Sequence, residues 1–259
     1  MKVVILCGGK GTRLKEETEF KPKPMVEVGG IPMVIHVMNV FSNYGFKEFI
    51  LALGYRGNII REYFVNWHQM NQDITIDMAH NEITYHHHQK TLDWQVSLID
   101  TGEETLKGGR LKKVSKFITG EQFFVTYGDG VGNIDIKELI ASHKSMGKIG
   151  TFTGVHMPSR FGGVRLTEQG EIESWKEKPT HKDYINGGFF VFNSAFLDYL
   201  TEDDDCELEG EPLERLAEEK QLNMYRHDGV WYCMDTYRDY EDLNSLWYRN
   251  QCKWVPDQD

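Results

Sequence analysis

Apolar positions along this chain fall in two rhythms, short dense runs and longer stripes spaced three and four residues apart, and the two alternate. Lys2–Cys7 is a β-branched and apolar run halted by Gly8-Gly9, which predicts a buried strand. Ile31–Tyr44 sets Met33, Val37, Met38, Val40, Phe41 and Tyr44 at helical spacing, with Gly45 as the stop. Glu48–Leu53 predicts a second strand and Arg56–Trp67 a second amphipathic helix. Asp73–Ala79 and Glu82–His86 alternate as strands do, and Gln95–Asp100 and Gln122–Tyr127 predict two more. Strands alternating with helices imply an α/β fold: a Rossmann-like, mostly parallel twisted sheet with helices on both faces. Ligands in such sheets lie beyond the carboxyl ends of the strands. The loops Gly8–Lys23, Thr101–Arg110 and Gly128–Val131 are therefore expected to share one cleft.

After Gly147 the rhythm changes to shorter strands, at Gly150–Val155, Gly163–Leu166, Glu171–Lys176 and Asp183–Phe192. Helices return at Glu211–Lys220 and Tyr237–Arg249. With no linker, low-complexity tract or repeat, the chain reads as one domain. Residues 1–147 are expected to bind nucleotide. Residues 148–259 are expected to supply a small β-rich elaboration, the second substrate's contacts and the C-terminal helices.

Composition narrows the class of ligand. The 259 residues are 40% hydrophobic and 27% charged, ordinary for a chain that buries a core. No apolar run reaches the ~18 residues that span a bilayer, and no secretory leader is visible. Four cysteines, Cys7, Cys206, Cys233 and Cys252, form no C-x-x-C pair, which favours a reducing compartment and the cytoplasm. A net charge of −11 argues against nucleic acid and anionic membrane as partners. It leaves room for a local cationic pocket, and Lys10, Arg13, Lys15, Lys21 and Lys23 cluster within fourteen residues of one glycine-rich segment.

That segment is Gly8-Gly9-Lys10-Gly11-Thr12-Arg13-Leu14, directly after the first strand. Glycines there let backbone N–H groups approach phosphate oxygens, and Arg13 adds a fork of charged donors. A dinucleotide fingerprint starting at Gly9 needs glycine at the position of Leu14, and no Gly-Lys-Ser/Thr is present for a Walker A loop. In Lys21-Pro22-Lys23-Pro24 the flanking prolines hold Lys23 on an extended, stiff backbone. The three adjacent histidines His86-His87-His88 point to alternate faces of a strand and cannot chelate one ion as a set. Cys7 reads as a small core residue.

Leu6-Cys7-Gly8-Gly9-Lys10-Gly11-Thr12-Arg13-Leu14 followed by Lys23-Pro24-Met25 resembles the signature of the sugar-1-phosphate nucleotidyltransferases. The resemblance continues through Val96–Gly102 with Gly108–Leu111, Thr126–Val131, Ile185–Phe190 and Met234-Asp235-Thr236, in order, and so spans nearly the whole chain. It is narrowest toward members that transfer a cytidylyl group to glucose 1-phosphate. Cys7 departs from the family's usual alanine. Phe161-Gly162-Gly163-Val164-Arg165-Leu166 departs from its usual Phe-Gly-Ala-Leu-Asp, near the expected sugar contacts.

The resemblance implies an enzyme that joins CTP to glucose 1-phosphate and releases pyrophosphate. It implies nucleotide contacts at Leu6, Cys7, Gly8, Gly9, Lys10, Gly11, Thr12, Arg13, Lys23, Thr105, Arg110 and Gly128. It implies sugar-phosphate contacts at Glu177, Lys178, Asn186 and Gly187, and a Mg2+ pair at Asp129 and Asp235. Arg13, Lys23 and Asp129 are the implied catalytic groups. Two carboxylates completed by substrate phosphates are a normal magnesium site. Homo-oligomers and a place in dideoxysugar synthesis for surface polysaccharide are implied as well. Transfer of thymidylyl, uridylyl or guanylyl groups stays open, because bases differ at a single ring edge. A nucleotide-sugar sensor without turnover is the reading from another class.

Overall fold

The computed structural model describes residues 1–86, 92–157, 161–177 and 183–254. Seven strands form the central sheet: β1 Val3–Cys7, β2 Glu48–Leu53, β3 Gln95–Asp100, β4 Gln122–Tyr127, β5 Gly150–Val155, β6 Ile185–Asn193 and β7 Leu222–His227. Their order is β7-β5-β6-β4-β1-β2-β3. β1 pairs in parallel with both β2 and β4, β2 with β3, and β5 with β7. Only β6 runs against its two neighbours. The mostly parallel α/β sheet is thus as expected. Successive strands leave β1 in opposite directions, toward β2 and toward β4, so the switch point lies above the carboxyl ends of β1 and β4.

Alternate residues of β1 feed two cores. Val3, Ile5 and Cys7 pack with the helices α1 Met33–Ser42, α2 Gly57–Val65, α4 Ile136–Met146 and α6 Tyr237–Tyr248. Val4 and Leu6 pack with α3 Lys107–Lys113 and α5 Glu211–Glu218 on the other face. All five residues of β1 are buried, as a strand covered on both faces requires.

Several elements differ from expectation. The helix expected from Ile31 begins at Met33, because Ile31–Pro32 pairs with Glu27–Val28 across Gly29-Gly30, both at positive φ. Among the described residues the segment Asp73–Asp77 pairs only with Glu82–His86, in an exposed hairpin apart from the main sheet. Gly163–Leu166 and Ile172–Lys176 form a second exposed hairpin, the expected β-rich elaboration. The second half of the chain also contributes β5, β6 and β7 to the main sheet, so strands from both halves build one body. Helices α3 and α4 and strand β7 were not expected. Among the described residues no helix is long and apolar enough to cross a membrane, and all four cysteines are free.

Three buried histidines carry structural hydrogen bonds: His36 to the Val28 carbonyl, His143 to Thr151 and Asn193, and His227 to the Val230 carbonyl. Burial lowers all three below the ordinary 6.5. The unfolded chain therefore binds more protons than the native one just below that value, and stability falls as pH drops through it. Urea unfolding at pH 5.5 is expected to give about 1–3 kcal/mol less stability than at pH 7.5. Equal stability at both would contradict burial of neutral rings.

Candidate active site

A cleft of about 500 Å³ opens over the carboxyl ends of β1 and β4. All three expected loops line it, through Gly8, Gly9, Gly11, Thr12, Arg13 and Lys23, through Thr105 to Arg110, and through Gly128 and Asp129. Leu6 and Cys7 form its floor. Burial first, then the Asp129 charge, push the Cys7 thiol well up, so it is a core group and no nucleophile.

Asp129 and Asp235 lie 106 residues apart and meet through a short ribbon. Gly130–Gly132 pairs antiparallel with Trp231–Cys233, and the Met234 N–H donates to the Asp129 carbonyl at 2.9 Å. Asp235 then precedes Thr236, which caps α6 in a reciprocal box with Asp239. Both carboxylates are thus fixed by backbone pairing and a helix start.

Between them sits the Lys23 ammonium, 2.6 Å from Asp129 Oδ2 and 2.5 Å from Asp235 Oδ1. Arg13 reaches the other oxygen of Asp235 at 2.8 Å. Burial alone would lower the Lys23 pKa, but the Asp129 charge and the bonds to both carboxylates outweigh it, and the net direction is upward. Lys23 starts a 3-10 turn after the extended Pro22, and Pro24 packs so tightly on Gly128 that a Cβ there would come within 2.8 Å of its ring. The backbone at Lys23 is consequently anchored to the residue before Asp129. Oxygens of Asp129 and Asp235 and the Cys233 sulfur all lie within 4.8 Å of one another. Burial and then Asp129 push the Cys233 thiol well up, so the carboxylates are the natural ligands for a hard cation. That an ammonium already bridges them shows the pair fits a cation.

Other expected residues are engaged within the protein. Lys10 is not among those lining the cleft and reaches Glu104 at 2.6 Å. Thr105 is buried, its hydroxyl 2.7 Å from the Thr101 carbonyl and 2.6 Å from Asp204. Arg110 lines the cleft, yet its guanidinium donates to the carbonyls of Gly8, Leu53, Gly102 and Glu103 and to the Thr101 hydroxyl. It ties together the ends of β1, β2 and β3. A Cβ at Gly54 would fall 2.2 Å from this guanidinium. Gly54→Ala is therefore expected to cost about 1–3 kcal/mol by overpacking, read by urea unfolding; an unchanged midpoint would show that Arg110 yields freely.

Of the expected sugar-phosphate set, Asn186 lines the cleft and donates to the Tyr127 hydroxyl at 3.1 Å. The Gly187 carbonyl accepts from the Trp231 indole at 2.9 Å. Glu177 is exposed at the end of the second hairpin and is not among the residues lining the cleft. Lys178 lies outside the described residues, as do His87 and His88; His86 is exposed and bonds Thr75.

A further part of the cleft lining, Lys107, Glu207 and Glu209, went unpredicted. Lys107 lies 2.6 Å from Glu209 and 3.2 Å from Glu207, and the Tyr127 hydroxyl bonds Glu209. Burial and then the neighbouring Glu209 hold the Glu207 carboxyl above its usual range. These pairs join segments roughly a hundred residues apart, and only the motif around Tyr127 could have signalled any of them.

A family model described as nucleotidyl transferase matches residues 2–249. The chain is 44% identical to a glucose-1-phosphate cytidylyltransferase of Salmonella typhi, over 98% of each chain. It is 40% identical to a probable glucose-1-phosphate cytidylyltransferase of Bacillus subtilis, over 98% of this chain and 99% of that one. Among solved structures, HddC from Yersinia pseudotuberculosis superposes with a TM-score of 0.68 at 23% identity, covering 95% of this chain and 99% of that chain, a likeness of fold.

Proposed function

The chain belongs to the nucleotidyl transferase family, and from that premise we propose that it forms CDP-glucose and pyrophosphate from CTP and α-D-glucose 1-phosphate. The observation that carries the reading is the cation cluster beside the glycine-rich loop, where Lys23 and Arg13 converge on Asp129 and Asp235. The acceptor phosphate is ionised near neutral pH, so its oxygen attacks the α-phosphorus without help from a nucleophilic side chain. The bond from that oxygen to phosphorus forms as the bond to the bridging oxygen of pyrophosphate breaks.

This chain's residues orient the partners and neutralise charge. Backbone N–H groups of Gly8 to Gly11, with Thr12, hold the triphosphate. Arg13 and Lys23 face the oxygens where charge builds and leaves. Asp129 and Asp235 would hold a divalent ion, proposed to be Mg2+. When bound, it supplies charge neutralisation for the reacting phosphates. Asn186, which lines the cleft, is proposed to contact the acceptor together with Glu177 and Lys178.

The test is pyrophosphate release with glucose 1-phosphate and magnesium, run separately with CTP, UTP, dTTP, ATP and GTP. CTP is expected to exceed the others by at least about tenfold, a difference of about 1.4 kcal/mol in transition-state binding. Preference for another nucleotide overturns the named product, and tight binding without release overturns catalysis.

The protein is also proposed to work as a cytoplasmic homo-oligomer supplying dideoxysugar synthesis. The hairpin Asp73–His86 supports association, since it exposes Ile76, Met78, Ile83 and Tyr85 while standing apart from the main sheet. Light scattering is expected to give a mass above the 30.1 kDa of one chain.

A further inference from the structure

The same ammonium that is proposed to serve the phosphates occupies the space between the two carboxylates proposed to hold the metal. We propose that Lys23 is an exchangeable internal counter-ion: a divalent cation and the Lys23 ammonium compete for Asp129 and Asp235, and metal binding releases Lys23 toward the triphosphate. The inference rests on the assignment of those aspartates as the metal pair.

Geometry makes the two cations mutually exclusive. The Lys23 nitrogen is 2.6 Å and 2.5 Å from one oxygen of each carboxylate. A magnesium ion takes its oxygens at about 2.0–2.1 Å, and one seated on those same two oxygens needs the same space. Two cations at that separation repel strongly in a site where Lys23 and both aspartates are mostly buried. One must leave.

The side chain can leave while its backbone stays. Pro24 is wedged on Gly128, and a Cβ at Gly11 would lie 3.3 Å from the Lys23 Cβ, so the base of the side chain is fixed between the glycine-rich loop and the Asp129 loop. Beyond Cβ the side chain is a flexible stem carrying a point charge, able to swing without moving the fold. The glycine-rich loop against its base is where the triphosphate is proposed to lie, so a released Lys23 has a new anion within reach.

The arrangement couples the two ligands. In the free protein Lys23 offsets part of the charge of both carboxylates, and Arg13 adds its own contact to Asp235. A metal arriving alone must break those contacts with no replacement for the ammonium. A metal arriving with a triphosphate leaves both cations a new partner. By linkage each ligand then raises the affinity for the other, beyond what direct metal–phosphate contact supplies. Free metal is held weakly, and the site assembles only when nucleotide and metal are both present.

The experiment measures Mn2+ binding by electron paramagnetic resonance in the absence of nucleotide and sugar. It compares the parent protein with Lys23→Met and Arg13→Gln. Each variant removes one positive charge beside Asp235, but only Lys23 lies between the carboxylates. Arg13 is largely exposed. Lys23→Met is expected to bind Mn2+ at least about tenfold more tightly than the parent, and Arg13→Gln only a few-fold more tightly, as screening of an exposed charge dictates. Equal effects would reduce the result to charge removal and overturn the proposal; so would unchanged or weaker binding by Lys23→Met. A crystal of the parent protein with Mn2+ alone gives a second reading that does not depend on any variant folding. It is expected to show the Lys23 ammonium withdrawn from both carboxylates, and Mn2+ on both aspartates with the ammonium still between them would overturn the exchange. If no protein of the three binds Mn2+, the assignment of Asp129 and Asp235 falls with it. The choice of CTP and glucose 1-phosphate is untouched by any of these results, since neither is present.

Discussion

Replacing Lys23 by alanine is expected to leave the protein folded and to lower kcat by about 10²–10³, the usual loss when one preorganised charge is removed from a developing anion. The stem of Lys23 is packed, but its neighbours Pro24, Met25 and Val26 carry the burial of the turn, so the fold does not hang on the ammonium. On the proposed role, what disappears is a fixed cation at the reacting phosphates. The loss should fall on kcat more than on KM, because an interaction that strengthens as charge builds acts on the transition state. Combined with the exchange argument, the variant acquires a paradoxical pairing: tighter metal binding without nucleotide, slower turnover with it. Near-normal kcat in steady-state assays at saturating magnesium would remove Lys23 from the mechanism. A sharp fall in Tm would instead make it a structural ion pair.

The legible parts of the fold are those where pattern and punctuation agree. Glu48–Leu53, Gln95–Asp100, Gln122–Tyr127 and Gly150–Val155 are strands with the bounds their apolar runs imply. Helix α3 was hidden by Gly108-Gly109, poor helix formers that read as loop. Their reason is tertiary: a Cβ at Gly109 would stand 2.4 Å from the Asp203 carbonyl, and one at Gly108 would stand 2.7 Å from the Cys206 sulfur. The acidic segment can lie against α3 only because the side chains are missing. Helix α4 was hidden by His143, a polar residue in the buried stripe with Ile136 and Leu139, acceptable because Thr151 and Asn193 satisfy its ring. Strand β7 sits at the sheet's edge and is only half covered over most of its length, so its apolar signal is weak.

The candidate site divides in the same way. Lys23, Arg13, Asp129 and Asp235 were legible because each stands in a local motif. That Lys23 sits between the aspartates was not, since a motif names residues without saying which of them touch. Lys107, Glu207 and Glu209 carry no motif. They become a cleft wall only when α3 meets the segment before α5, and nothing local encodes that meeting.

Arg110 makes the same point quantitatively. Its resemblance-based role is nucleotide contact, whereas its guanidinium is turned to four carbonyls and one hydroxyl at the ends of three adjacent strands. Burial lowers its pKa from the ordinary arginine value, and the nearby Asp100, Asp204 and Glu104 charges pull against that shift. Arg110→Met keeps the stem and removes the fork. Five acceptors then lose a donor, but several have other partners, as Leu53 does in the Thr101 N–H and hydroxyl. The expected cost is about 2–4 kcal/mol, or roughly 4–16 °C in Tm at about 2–4 °C per kcal/mol for a chain near this size. Strand ends released by even ~1 Å would misplace the glycine-rich loop and lower kcat by about 10²-fold. Arg110→Lys should rescue neither, because a point charge cannot reproduce a planar fork reaching three strands. The double variant with Gly54→Ala supplies the decisive comparison. The three atoms nearest a Cβ added at position 54 all belong to the guanidinium, so removing the guanidinium removes the closest collision. The two costs should therefore fail to add, the double variant being about as stable as Arg110→Met by itself. Full stability of Arg110→Met with a raised KM for nucleotide would reverse the argument and return Arg110 to direct contact with the substrate.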